Sequence, residues 1–185
     1  MKPDILTETG LSSETVFQGK LLHVKRDKVL LPNGSETGRE YIVHPGAVLV
    51  VPVLDNGHLV FERQFRYPLK KTFMELPAGK IDPSEDPMQT GQRELLEETG
   101  YTAKEWHYLA ALHPCIGYSN EIIHIVLATG LQAGDHQRDH DESLEVFDMS
   151  LADAMQAMHS GEITDGKTMI ALFWAEKILT HQWNP

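Results

Sequence analysis

The sequence has a single cysteine, Cys115, in 185 residues, which excludes an intrachain disulfide and any cysteine-only metal site. No apolar run approaches the length of a membrane span, so a membrane helix is not expected. Basic residues are scarce as well. Sixteen Lys and Arg stand against 27 Asp and Glu, a formal net charge of −11, and no broad basic face is left for nucleic acid. The opening stretch MKPDILTETG lacks both an apolar signal core and a cleavage-like small-residue pattern, and the expected location is the cytoplasm. There is no internal repeat and no low-complexity segment. What remains is 41% hydrophobic and 23% charged, an ordinary globular composition with room for one cored domain and a small extension. An anionic ligand on so acidic a chain needs a cation as mediator.

Strand patterns fill the first half. ETVFQGKLLHVKRDKVLL alternates apolar and polar residues in short runs and breaks at the turn signal PNGS, which predicts an antiparallel N-terminal unit. AVLVVPVL and DNGHLVFERQF read as two strands joined through Asn56-Gly57, a strong hairpin signal. HYLAALHP and EIIHIVLATGL add further strands. Helices are expected in DPMQTGQRELLEETG, with Asp86 as N-cap, Pro87 at the first position and Gly100 as the stop, and in SLADAMQAMHSG and GKTMIALFWAEKILTHQW. Without a regular strand-helix alternation, a mixed sheet covered by helices fits best, and the one plausible boundary lies near Pro45-Gly46.

The first of these helices crowds three acids. Glu94 and Glu97 are three apart and Glu94 and Glu98 four apart, so all three project from neighbouring positions. Two full charges about 6 Å apart repel by roughly 3 kcal/mol at an effective dielectric near 20, and by much less in water. A bare ELLEE is accounted for by a solvated surface helix. Its surroundings point elsewhere: Gly79, Asp82 and Pro83 form a loop that follows Pro77, the acids share a face, and a glycine ends the helix. Together they describe a platform for a hard divalent cation, with oxygen donors suited to magnesium or manganese.

Gly79, Glu85, Arg93-Glu94-Leu95, Glu97-Glu98 and Gly100 resemble the Nudix box, G-x5-E-x7-R-E-U-x-E-E-x-G-U, in residue type and spacing, with Tyr101 in place of the final aliphatic residue. The resemblance to Nudix hydrolases implies an α/β/α sandwich with a mixed sheet, here preceded by a small N-terminal antiparallel β arm, residues 46–185 and 1–45 respectively. It also implies two or three Mg²⁺ or Mn²⁺ ions, with Glu94, Glu97, Glu98 and the Ala78 carbonyl as metal ligands and Arg93 orienting the glutamates. The segments ERQFRYPLKKTFMELPAGKI, REYIVHPGAV, GYSNE and GEITDGKT extend the likeness toward the ADP-ribose and nucleotide-sugar pyrophosphatases of that family. In that branch the arm mediates a homodimer.

On the substrate side, Arg66 is expected at a phosphate and Arg39 at the nucleotide end, with Arg63 a weaker candidate because it can face the other side of its strand. Glu121 of GYSNE is a candidate for the sugar or the attacking water, and Phe17 and Tyr41 are candidates for base stacking against the alternative of core packing. The acidic run HQRDHDESLEVFDMS reads as a loop between the last strand and a helix cap. By resemblance its Glu142 reaches the metals. His140, where a glutamate base is common in the family, Asp141 and Glu142 all remain open as the general base. Ile116 stands where the ADP-ribose branch tends to carry proline. The expected reaction is metal-dependent hydrolysis of ADP-ribose or another nucleoside diphosphate sugar to a nucleoside monophosphate and a sugar phosphate. The alternatives are an ADP-ribose-sensing module without turnover, and a Nudix hydrolase of dinucleoside polyphosphates or nucleoside triphosphates.

Overall fold

Two compact units make up the chain in the computed structural model, which describes residues 5–134 and 143–185. The first unit combines residues 1–45 with the segment 115–121. It holds a three-stranded antiparallel sheet of β1 (Thr9–Gln18), β2 (His23–Leu30) and β3 (Glu36–Ile42), in that order. The PNGS turn forms as expected: the Asn33 side chain accepts the Ser35 N–H at 2.9 Å, and Leu31 N–H donates to the Ser35 carbonyl at 2.8 Å. Segment 115–121 docks on β3 through Ile42 N–H to the Tyr118 carbonyl, 2.8 Å. Every residue of β1 is exposed, and among the described residues Val29 is the only buried hydrophobic side chain in this unit.

The second unit, residues 46–114 and 122–185, has a real core. β4 (Ala47–Pro52) lies between β7 (Ala78–Lys80) and β9 (Ile123–Ala133), with β8 (Tyr101–Leu112) outside β9. The β4–β9 pair is parallel and the others antiparallel, so the sheet is mixed. A second, antiparallel sheet has the order β10 (Leu144–Ser150), β5 (His58–Arg66), β6 (Lys71–Glu75). The run AVLVVP is explained by burial on both faces. Leu49 and Val51 enter a cluster with Phe61, Leu76 and Leu172, while Val48 and Val50 pack with Leu95 and Val126. Leu95 belongs to α1 (Pro87–Thr99) and Leu172 to α3 (Gly166–Leu179), which with α2 (Leu151–Ser160) supplies the helical layers of the α/β/α arrangement. No helix among the described residues is long and apolar enough to cross a membrane.

The structure corrects four local expectations. The turn at Asn56-Gly57 is present, but β4 and β5 do not run on as a hairpin. An isolated bridge just past β4, Val53 to Leu59, joins the two arms, and the strands then enter different sheets, because β4 takes β7 and β9 as its neighbours. Gly79 lies within the short strand β7 rather than in a loop. The end of the acidic run is strand β10, paired with β5 from Leu144 opposite Gln64 to Ser150 opposite His58, an order that only a distant partner supplies. Finally, α3 stops at Leu179, short of Trp183, and the chain turns back through a left-handed His181 (φ 58°) to set Trp183 edge-on to Trp174.

Candidate active site

Helix α1 is fixed at both ends by local chemistry. The Asp86 side chain accepts the N–H groups of Met88 and Gln89 at 2.8 and 2.9 Å, and the Gln89 side chain accepts the Asp86 N–H in return at 3.0 Å, a complete capping box. Gly100 ends the helix in the left-handed region at φ 76°, which a residue with a Cβ enters only with strain. Between these caps Leu95 is held against β4, which orients the glutamates on either side of it.

Arg93 resolves the crowding of acids. Its five N–H donors all find acceptors: Nε and Nη2 on the two Glu85 oxygens at 2.9 and 3.0 Å, Nη1 on Glu94 Oε1 and Glu97 Oε2 at 2.8 and 2.9 Å, and Nη2 again on the Lys80 carbonyl at 3.1 Å. Hydrogen bonds from Arg93 and then from Thr90 hold the Glu85 carboxyl far below the usual range, at about 2. The Glu85 bond, with those to Glu97 and Glu94, keeps the guanidinium more firmly protonated than usual. One cation against three carboxyls leaves the group acid-heavy.

Glu98 and Gly79 tie the helix to β7. Glu98 is nearly buried, 4% exposed, and its Oε2 accepts the Ala78 N–H at 3.0 Å. A Cβ at Gly79 would lie 1.8 Å from Glu94 Oε1, so the Glu94 carboxyl occupies the space that any other residue would fill. The structure thus brings together Ala78, Arg93, Glu94, Glu97 and Glu98.

The remaining candidates are distributed differently. Arg66 closes β5 and grips Glu75 in a fork, Nε to Oε1 at 2.7 Å and Nη2 to Oε2 at 2.6 Å. Burial alone would raise the Glu75 carboxyl, but the bonds from Arg66 and from Lys167 bring it below its ordinary value. Glu75 is three residues before Ala78, which ties Arg66 to the strand leading into the acidic site. Arg63 turns the other way, pairing with Glu145 at 2.9 Å and lying 4.4 Å over the Phe147 ring. Arg39 and Glu121 belong to the first unit. Arg39 is bound to Glu8 at 2.5 and 3.0 Å, and Glu121 lies 3.6 Å from His44 Nδ1. Tyr41 donates to Asp27 at 3.0 Å, while Phe17 is exposed. His140, Asp141 and Glu142 lie outside the described residues. Sequence reading missed Glu75 and Lys167, which are 92 positions apart and meet only in the fold.

Fold and site together define an α/β/α enzyme domain built around one acidic helix. Residues 43–172 match the NUDIX domain, and residues 8–42 match the nucleoside diphosphate sugar hydrolase N-terminal domain. The chain belongs to the Nudix family of hydrolases. It is 41% identical over 169 residues to the ADP-ribose pyrophosphatase of Bacillus subtilis (strain 168), covering 90% of this chain and 91% of that one. A methanol dehydrogenase activator of Bacillus methanolicus is 36% identical over 170 residues, covering 91% and 92%. The crystal structure of an ADP compounds hydrolase matches with a TM-score of 0.87 at 26% identity over the whole of both chains.

Nudix hydrolases generally use divalent metal ions. The chemistry of the donors around α1 fits such an ion, being oxygen only and acid-heavy beside a glycine cradle. Their present grouping is that of an ion-paired set. With Glu94 and Glu97 turned to Arg93, no three His, Cys, Asp or Glu among the described residues are gathered closely enough to hold an ion.

Proposed function

We propose that this chain hydrolyses the diphosphate bond of ADP-ribose or another nucleoside diphosphate sugar, giving a nucleoside monophosphate and a sugar phosphate, with Mg²⁺ as the working cation. The observation that carries the reading is the junction of α1 with β7, where Glu94 fills the space over Gly79 and Glu98 holds the Ala78 N–H. The substrate class is supported by the relative named ADP-ribose pyrophosphatase and by the N-terminal domain match. Glu94, Glu97, Glu98 and the Ala78 carbonyl would hold the cation. When bound, it supplies the positive charge that lets an acidic site accept a diphosphate and polarises the phosphoryl oxygens.

The chain's own groups do the rest. Arg93 keeps the glutamates arranged and partly neutralised. Arg66, already in a fixed fork with Glu75, offers its remaining donors to a phosphate oxygen. A base among His140, Asp141 and Glu142 takes the proton of the attacking water as it adds in line to one phosphorus. The exposed apolar side chains of the first unit, Leu11, Val16, Phe17 and Leu22, support a homodimer in which a second copy covers them.

The test is turnover of ADP-ribose, GDP-mannose, UDP-glucose, ATP and diadenosine polyphosphate with MgCl₂ and then EDTA, with products separated by chromatography. Release of a nucleoside monophosphate and a sugar phosphate only with the metal is expected. Cleavage confined to ATP or diadenosine polyphosphate would assign another substrate class. A second reading, a module that acts on a protein partner, is favoured by the relative named as a methanol dehydrogenase activator. Binding of ADP-ribose without any turnover would select it.

A further inference from the structure

The segment GEITDGKT supplies no residue to the acidic helix, yet its Asp165 and Lys167 line a cleft of about 140 Å³ together with Arg66, Leu69, Phe73 and Glu75. At its centre Glu75 is 2% exposed, a carboxylate that burial tolerates only when both oxygens are bonded. Oε1 takes Arg66 Nε, and Oε2 takes both Arg66 Nη2 and Lys167 Nζ. Lys167 is itself held by Asp165 Oδ2 at 2.9 Å, and the same oxygen accepts the Thr168 N–H at 3.1 Å as the N-cap of α3. Thr168 closes the loop by accepting the N–H of Leu76, next to Glu75, at 3.0 Å. The start of α3 is therefore bonded twice to the end of β6.

This arrangement constrains the arginine. A carboxylate grips a guanidinium in a fork only while its two oxygens lie in the guanidinium plane. A carboxyl is otherwise free to turn about its last side-chain bond, and Lys167 pins one of its oxygens from a different element. The fork uses Nε and Nη2 and leaves Arg66 Nη1 without a hydrogen-bond partner among the described residues, on a side chain that is 41% exposed.

We propose that Lys167 is a positioning residue which, through Glu75, fixes the plane of the Arg66 guanidinium and so holds its Nη1 edge ready for a substrate phosphate. This rests on the reading of Arg66 as a phosphate ligand given above.

The experiment compares wild type, Lys167→Met, Lys167→Arg, Arg66→Ala and the Lys167→Met/Arg66→Ala double variant in the full chain. It measures kcat, KM, Tm and the side-chain Nε–H resonance of Arg66 by ¹⁵N NMR. Lys167→Met is expected to raise KM for the nucleoside diphosphate sugar about tenfold with kcat nearly unchanged. Lys167→Arg should restore most of the loss, and Lys167→Met should add nothing once Arg66 is alanine. An unchanged KM, or an effect that adds fully to that of Arg66→Ala, would overturn the positioning role, the second by making Lys167 a substrate contact or a purely structural residue. If Lys167→Met fails to fold, Asp165→Ser takes its place, since serine keeps the helix cap while removing the anchor of Lys167. If wild type turns over no nucleotide at all, it is the proposed function that fails. The resonance still decides the positioning claim: faster exchange of the Arg66 Nε–H with water in the Lys167 variant supports it, and equal protection sinks it.

Discussion

At the scale of single residues the site is an exercise in placing negative charge. Arg93 takes up three carboxyls and the Lys80 carbonyl with its five donors, and Gly79 leaves room for one of those carboxyls. Gly79→Ala should therefore leave the fold intact, because the atom it strikes is the far end of a flexible side chain, while displacing the Glu94 carboxyl. Turnover is expected to fall by about 10²-fold with Tm little changed, as read by paired kinetics and thermal melts. For Glu98→Gln the amide oxygen can still accept from Ala78 N–H, so folding should persist while kcat drops by about two orders of magnitude or more; near-normal turnover would remove Glu98 from the metal set. Glu85 carries a pH signature. Its folded carboxyl titrates at about 2 against an ordinary 4.5, so its pairing with Arg93 and Thr90 contributes fully above about pH 5 and is lost as pH falls toward 2. In melts across that window, the Tm gap between wild type and Glu85→Gln should close on the acid side; a constant gap would mean the pair contributes no titratable stability.

At the scale of elements, α1 is the piece whose limits are legible in the sequence, because its signals are local. Asp86, Pro87, Gln89 and Gly100 act within one turn of the helix ends. Asp86→Ala should cost about 1 kcal/mol and lower Tm by roughly 2–4 °C, with activity following stability, since the cap lies about two to three turns from Glu94, Glu97 and Glu98. A loss of activity without a loss of Tm would mean the cap aims the helix rather than merely holding it. The strands are less legible for the opposite reason. β6, β7 and β10 are short or acidic and become strands only by pairing with β5 and β4. The hairpin signal at Asn56-Gly57 misleads because a turn specifies that the chain reverses, and not which sheet each arm joins.

At the scale of the whole molecule, the first unit is a sheet with one buried hydrophobic residue among those described and a fully exposed β1, an arrangement that leaves apolar side chains in water unless something covers them. With a second copy as the cover, sedimentation should report a dimer, and Val16→Asp with Leu22→Asp should shift it to monomer. A wild-type monomer at micromolar concentration would leave that surface to another partner.

The sequence by itself determined the side-chain grouping that depends on spacing along one helix: the three glutamates, their arginine and the caps that bound them. These lie within a few turns, so backbone periodicity alone sets their neighbours. Only the tertiary structure decided what long separations bring together. It placed Lys167 on Glu75 and Glu75 on Arg66, split β4 from β5, and gave segment 115–121 to the N-terminal unit. Such contacts are chosen by the burial of apolar faces across distant elements and by the need to pair every buried charge, and no local pattern encodes the partner.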